Sequence, residues 1–327
     1  MTQAIGLNSH AEGYLCVATG EASHVEGYLS QASGFISHAE GQSWASAQYA
    51  HAEGNSTADG YAAHSEGSGA RASGIGSHAE GGTTKAFGNY SHAEGGVTTV
   101  QSDHPLSHIM GYAGQTLYPI SWHLANGLEA SRPGLAAVLQ GSTCNLYIDG
   151  TVMSPAADYA EMFETLDGQP IEPGYFVTTV GEKIRKATNR DDYVAGIVSA
   201  RPSFIGGASH LNWIGKYETD EWGKIQYEDR VVSEQKDERG EVIVPAYTIN
   251  SAVISTSYDH SREYVSRIDR MEWVAIGMMG KLLVRDDGTC QVDSYCRPND
   301  EGIATAATAG FRVLARTVAN QIKVLVK

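Results

Sequence analysis

Over the first hundred residues, polar and small positions alternate in a pattern that returns again and again. A typical stretch, residues 24–37, reads H-V-E-G-Y-L-S-Q-A-S-G-F-I-S, and His10, His24, His38, His51, His64, His78 and His92 each open a His-x-Glu-Gly unit at intervals of 14, 14, 13, 13, 14 and 14 residues. Strand alternation within S-H-A-E-G places His and Glu on one face and Ser, Ala and Gly on the other. A period this short excludes helical solenoids, which need about 33 residues or more per unit. It fits two short strands and two tight turns, one coil of a parallel β-roll whose small residues fill a narrow interior. Seven coils at the roughly 4.8 Å strand spacing predict a rod about 34 Å long.

The repeat stops near residue 101. A mixed stretch follows, with turn dipeptides at Asn126-Gly127 and Pro133-Gly134 and a strand–turn–strand pattern over 145–153 centred on Asp149-Gly150. It is expected to cap the last coil. Beyond it, β-strand signals occur at 174–180, 193–199, 241–247, 273–285 and 311–326. Residues 209–270 look like a long insertion, with a helix expected at 260–268. The predicted fold class is therefore mainly β: a parallel β-roll over 1–101, a connector or cap over 102–157, and a compact β-rich domain over 158–327.

Composition sharpens this division. Residues 1–157 hold 12 acids and 3 bases, whereas 158–327 hold 26 and 20, within a net charge of -15 for all 327 residues. That balance opposes wrapping around nucleic acid or docking on an anionic membrane, so neither is an expected partner. No apolar run approaches the roughly 20 residues of a membrane span. The opening M-T-Q-A-I-G-L-N-S-H lacks a basic region followed by an apolar core, so a protein released soluble from the cytoplasm in which it is made is expected. Four scattered cysteines suit free thiols better than a disulfide framework or zinc site.

Three groups of residues invite chemistry. The stacked His and Glu of the repeat are within reach of a cation, but their recurrence in every coil favours a hydrogen-bonded, charge-compensated ladder, and no metal is expected. His104, His108 and His123 match no ligand spacing. Asp158 and Glu161 lie three apart in S-P-A-A-D-Y-A-E-M-F-E (154–164), which on a helical turn puts both carboxyls on one face. Paired carboxylates divide acid and base work when burial and repulsion separate their pKa values. There is no G-x-x-x-x-G-K-[ST], H-E-x-x-H or G-x-S-x-G motif.

The repeats resemble the head repeats of trimeric autotransporter adhesins and the H-A-E-G repeats of phage tail and appendage proteins. The blocks A-D-Y-A-E-M-F-E, G-Y-F-V-T (174–178), G-I-V-S-A-R-P-S (196–203), K-Y-E-T-D-E-W-G (216–223), G-K-L-L-V-R-D-D-G-T-C (280–290) and the ending I-K-V-L-V-K resemble the autoproteolytic intramolecular chaperone domain of phage neck-appendage proteins, a glutamic-type peptidase family. The resemblance implies a homotrimer on a virion tail or neck appendage that meets a host bacterial surface. It also implies one self-cleavage at Ala157-Asp158, with Asp158 and Glu161 as catalytic residues. Relatives often carry Gly or Ser where Ala157 stands. Some are thought to use ATP for release, but without a phosphate loop no nucleotide site is assigned, and no cofactor is required.

Other readings stand beside this one. An uncleaved receptor-binding spike would keep its C-terminal domain as a permanent trimerisation knob. A Ser/Lys type of self-cleaving chaperone would use Ser154, although its S-D-x-R-x-K signature is absent, and a cell-surface adhesin is a further alternative. Physically, seven near-identical coils pair between chains in register or one coil out at similar energy. Repeats also nucleate anywhere, so a domain that aligns three chains before winding removes the ambiguity. The outer Tyr14, Tyr28, Phe35, Trp44, Tyr49, Tyr61, Phe87 and Tyr90 offer apolar area for packing rods side by side.

Overall fold

The computed structural model describes residues 1–211, 213, 215–236, 240 and 242–327. Contacts divide the chain into two units, Met1–Thr151 with Thr219–Val253, and Val152–Glu218 with Ile254–Lys327.

The first unit is a parallel β-solenoid of about nine turns. Identical residues stack in register: His10 on His24, His24 on His38, and so on through His92. Ala18, Val25, Ala32, Ala39 and Ala45 are fully buried along the interior, so the core is a column of methyl-sized groups. Ser23, Ser37, Ser77 and Ser91, each just before a histidine, are buried too, and their hydroxyls are satisfied locally; Ser37 Oγ donates to the Gly34 carbonyl at 2.8 Å. The glycine of His-x-Glu-Gly does not line the interior as expected. It makes a left-handed, exposed corner: Gly27 has φ 106°, and a Cβ there would stand 2.5 Å from the Gly41 carbonyl oxygen. Each coil has another left-handed corner two residues before the histidine, often a non-glycine such as Ile36 or Tyr49. The amides of these residues bond back to the preceding coil, Ile36 to Glu21 and Tyr49 to Phe35, both at 2.9 Å, which offsets the roughly 1–2 kcal/mol of local strain.

The solenoid also runs past the end of the sequence repeat. His108 stacks on His92, with Ile109 and Gly111 keeping the interior and corner positions, and Trp122 takes the next place on His108, with His123 buried beside Ile109. The connector predicted over 102–157 thus begins as two further coils. Strands Leu135–Gln140 and Asn145–Ile148 then add in antiparallel sense and end the parallel stacking. The turn at Asp149-Gly150 is followed by no second strand. In the 219–253 segment, Tyr227–Val232 pairs with Tyr247–Ala252. The strand expected over 241–247 is a short one, Val242–Val244, and Glu241 lies outside the described residues.

The second unit is built on a ten-stranded sheet. Its strands are β1 (Asp158–Glu164), β2 (Phe176–Val180), β3 (Lys183–Lys186), β4 (Gly196–Val198), β5 (Phe204–Gly206), β6 (Trp273–Arg285), β7 (Tyr295–Pro298), β8 (Ala304–Ala307), β9 (Phe311–Val318) and β10 (Gln321–Val326). The main order is β3-β2-β4-β6-β10-β9-β7-β8, with β1 paired to β6 and β5. Strand β6 is the hub: Ile276 and Gly277 lie between β1 and β4, and from Gly280 onward the strand pairs with β10. Phe176, Ile197, Leu282, Val284, Ile322 and Val324 form a core of large apolar groups. The helix expected at 260–268 is not formed. Asp259 Oδ1 accepts from the Ser261 amide at 2.9 Å, a local turn that competes with helix, and only a 3-10 turn, Arg267–Asp269, follows. Among the described residues no helix is long and apolar enough to cross a membrane.

Candidate active site

The junction motif folds as β1, and this corrects the helical-turn expectation. Buried and outward positions alternate along D-Y-A-E-M, so Asp158, Ala160 and Met162 face inward while Tyr159 and Glu161 face out. Residues three apart on a strand point to opposite faces, and the two carboxyls are not brought together. Glu161 is instead tied to its own face, where the Tyr159 hydroxyl donates to Glu161 Oε1 at 2.8 Å; this bond raises the Tyr159 pKa.

Asp158 sits where an exposed segment meets a buried strand. Ala157 is exposed and residues 151–154 have no regular structure, whereas Asp158 is only 6% exposed. Burial pushes the Asp158 carboxyl above its usual range, opposed by a hydrogen bond with Ser199, and Oδ2 has no hydrogen-bond partner. A carboxyl held in this way favours the protonated form and can serve as an acid.

The backbone around the Ala157–Asp158 bond is clamped on both sides. The Lys281 amide donates to the Ala157 carbonyl at 3.3 Å, and the Ser203 amide and hydroxyl both donate to the Asp158 carbonyl, at 2.8 and 2.7 Å. Glycine is required at 280: its φ is 114°, and a Cβ would lie 2.1 Å from the Ala157 oxygen. A cavity of about 560 Å³ opens beside the bond, lined among others by Asp158, Ser199, Arg201, Lys281 and Asn320. A donor aimed at a carbonyl oxygen, an acid next to the amide nitrogen and room for water are what peptide hydrolysis needs. Ser199, Ser203, Gly280 and Lys281 were not singled out from sequence. Each lies in one of the quoted blocks, G-I-V-S-A-R-P-S or G-K-L-L-V-R, which is the signal that points to them.

The other sequence candidates have separate surroundings. Ser154 is exposed, and its hydroxyl accepts only from the Ala156 amide at 3.2 Å. His104 Nδ1 pairs with Thr116 Oγ1 at 2.7 Å, and buried His123 accepts at Nε2 from the Leu117 amide at 3.0 Å, so these rings do not converge. All four cysteines are free, and burial pushes Cys296 up to about 12.

In the solenoid, the ladder differs in detail from the expected one. The imidazoles of His24 through His108 stack face to face with centroids 4.6–4.8 Å apart. Burial, then the neighbouring rings, lowers His38, His64 and His92, the last to about 4. The glutamates bond to one another rather than to histidine: hydrogen bonds to neighbouring carboxyls raise Glu53 and Glu80 to about 7 and lower Glu66 between them. The nearest His–Glu contacts, 3.5–3.9 Å, are too long for hydrogen bonds.

A family model described as Peptidase_G2, IMC autoproteolytic cleavage domain, matches residues 122–322, so the Ala157–Asp158 bond lies well inside the matched stretch. The pre-neck appendage protein of Bacillus phage B103 is 35% identical over 183 residues, 55% of this chain and 20% of that protein. The putative phage-related protein YobO of Bacillus subtilis (strain 168) is 39% identical over 164 residues, 49% of this chain and 19% of that protein. The chain thus spans about a fifth of the length of these curated relatives. The crystal structure of the pre-mature bacteriophage phi29 gene product 12 covers 100% of this chain and 40% of its own, with a TM-score of 0.59 and 22% identity, and so shares the fold.

Proposed function

Because the chain belongs to the Peptidase_G2 family of IMC autoproteolytic cleavage domains, we propose that it is a phage or prophage neck-appendage protein that cuts itself once, at Ala157-Asp158. Water adds to the Ala157 carbonyl carbon and a carboxylate takes its proton. The C–N bond then breaks with the electron pair on the Asp158 nitrogen, which gains a proton, leaving an Ala157 carboxylate and an Asp158 amine. The observation that carries this reading is the Lys281 amide at the Ala157 oxygen beside the buried Asp158, whose carboxyl burial pushes above its usual range. The amide is placed to stabilise the developing oxyanion, a contribution worth about 10²–10³ in rate at comparable sites. Asp158 suits the acid role; Glu161, the second carboxylate that the family resemblance implies, lies on the other face of β1 bonded to Tyr159 and would act as base only after a rearrangement that turns it toward the Ala157 carbonyl. Holding bond and catalyst in one chain supplies roughly 7–11 kcal/mol of the barrier by proximity, so a modest pair of groups suffices for one turnover.

In this reading the C-terminal unit aligns three chains before the solenoids wind, and its removal leaves a kinetically trapped homotrimeric spike facing a host surface component. Exposed Tyr14, Tyr28 and Trp44 on the solenoid supply apolar area for that packing. The test is expression of the wild type beside D158N and E161Q, followed by denaturing gels and N-terminal sequencing. Wild type is expected to give pieces of 157 and 170 residues (327 less 157), the second starting at Asp158, with neither variant cut. An intact wild type points to a permanent trimerisation knob, and an E161Q chain that still cuts removes Glu161 from the reaction.

A further inference from the structure

Seven histidines of the solenoid, His24 through His108, hold an Nε2 atom that is shielded from water and has no hydrogen-bond partner. Buried polar atoms are nearly always satisfied, and a row of exceptions on one face calls for a physical account. Carboxylates from the same and adjacent coils surround these atoms. His92 Nε2 lies 3.5 Å from Glu80 Oε1, and His78 Nε2 lies 3.7 Å from Glu66 Oε1.

We propose that this His/Glu face binds divalent transition-metal ions of the zinc type, three per chain. Of the five sets of three ligand atoms mutually within 4.8 Å among the described residues, four lie on this face, Glu26-His38-Glu40, Glu53-His64-Glu66, His78-Glu80-His92 and His92-Glu94-His108; the fifth, Asp286-Asp287-Cys290, lies outside the solenoid and is not counted in the three. Zinc holds imidazole and carboxylate ligands at about 2.0–2.2 Å, which in tetrahedral geometry places them roughly 3.3 Å apart. Side-chain rotations that draw the atoms of each set together by up to about 1.5 Å complete a three-ligand site with an open fourth position. Mixed imidazole and carboxylate donors select such ions over calcium or magnesium, which prefer oxygen alone. The last two sets share His92, so only one of them fills at a time, and the total is three. Trp122 follows His108 in the stack and ends the series. None of this depends on self-cleavage.

The full chain, freed of metal by chelator and dialysis, is titrated with zinc chloride by calorimetry, and bound zinc is counted after gel filtration. Wild type is expected to hold three ions. E80Q keeps three because His92-Glu94-His108 takes over, whereas H92Q disables both overlapping sets and drops to two. The double variant E80Q/E94Q, which leaves the imidazole stack intact, is expected to hold two as well and stands in for H92Q if that chain does not fold by circular dichroism. A wild-type count below three, equal uptake of calcium, or three ions in H92Q or in E80Q/E94Q would overturn the proposal.

Discussion

The two units solve the burial problem in opposite ways. The solenoid interior is a column of alanines and serines in which each coil meets a near copy of itself, and His24 would stack on His51 as readily as on His38. The C-terminal sheet buries Phe176, Ile197, Leu282 and Val324, large and unequal side chains drawn from distant parts of the chain. Such a core closes in one arrangement. The first unit therefore carries shape and little information about register; the second carries register, and it is there that the candidate cleavage chemistry sits.

The largest effect that would break this contrast is at Gly280. Gly280→Ala places a methyl group 2.1 Å from the Ala157 oxygen and is expected to reduce cleavage by about 100-fold or more, read as uncut chain on a time course. Gly150→Ala, with nothing within 4 Å, is the neutral control. Next come the cores. Phe176→Ala should cost about 3–5 kcal/mol in denaturant unfolding of the C-terminal unit. The solenoid should respond to the reverse change, Ala39→Leu costing about 1–3 kcal/mol because a methyl-wide interior has no room. If enlargement at Ala39 is neutral, the narrow-core account fails.

The ladder predicts smaller effects with a definite sign. Glu53 and Glu80, raised to about 7 by sharing protons with neighbouring carboxyls, contribute stability that is complete below pH 4.5 and lost as pH rises through about 7. Gln at both positions mimics the protonated form. The double variant should melt higher than wild type at pH 8 by an amount on the order of 0.5 kcal/mol, since these groups are partly solvated, with little difference at pH 5. His92 works in the other direction: lowered to about 4, it contributes stability present above 6.5 and lost as pH falls through about 4. The smallest effect should follow the largest edit. Deleting residues 24–37 removes one whole coil and stacks His10 on His38, so melting and cleavage should hardly change. A marked loss would show that the coils are not interchangeable.

Much of this was legible without coordinates. The solenoid announced itself by its period, and the strand over 273–285 appears with the same limits because its apolar run is long and flanked by turns. The stretch 311–326 divides into β9 and β10 around Ala319 and Asn320, a turn with no glycine or proline to mark it. Asp158 and Glu161 were visible as residues but not as a geometry, since a spacing of three reads differently on a helix and on a strand and seven residues are too few to show which period governs. The last two coils, 108–126, are hidden because Met110 replaces Glu in the first and Trp122 replaces His in the second, while Ile109 and His123 keep the buried position that stacking requires.

What the sequence determined by itself is what recurs at short range: a 13–14-residue coil, its small interior and its His and Glu face. A repeated local pattern states its own structure many times over. Only the tertiary fold decided that the Ala157 carbonyl meets the Lys281 amide, that Asp158 is buried while Glu161 faces away, and that Gly280 must lack a side chain. Those contacts join segments more than a hundred residues apart, and nothing local to either segment encodes the distance between them.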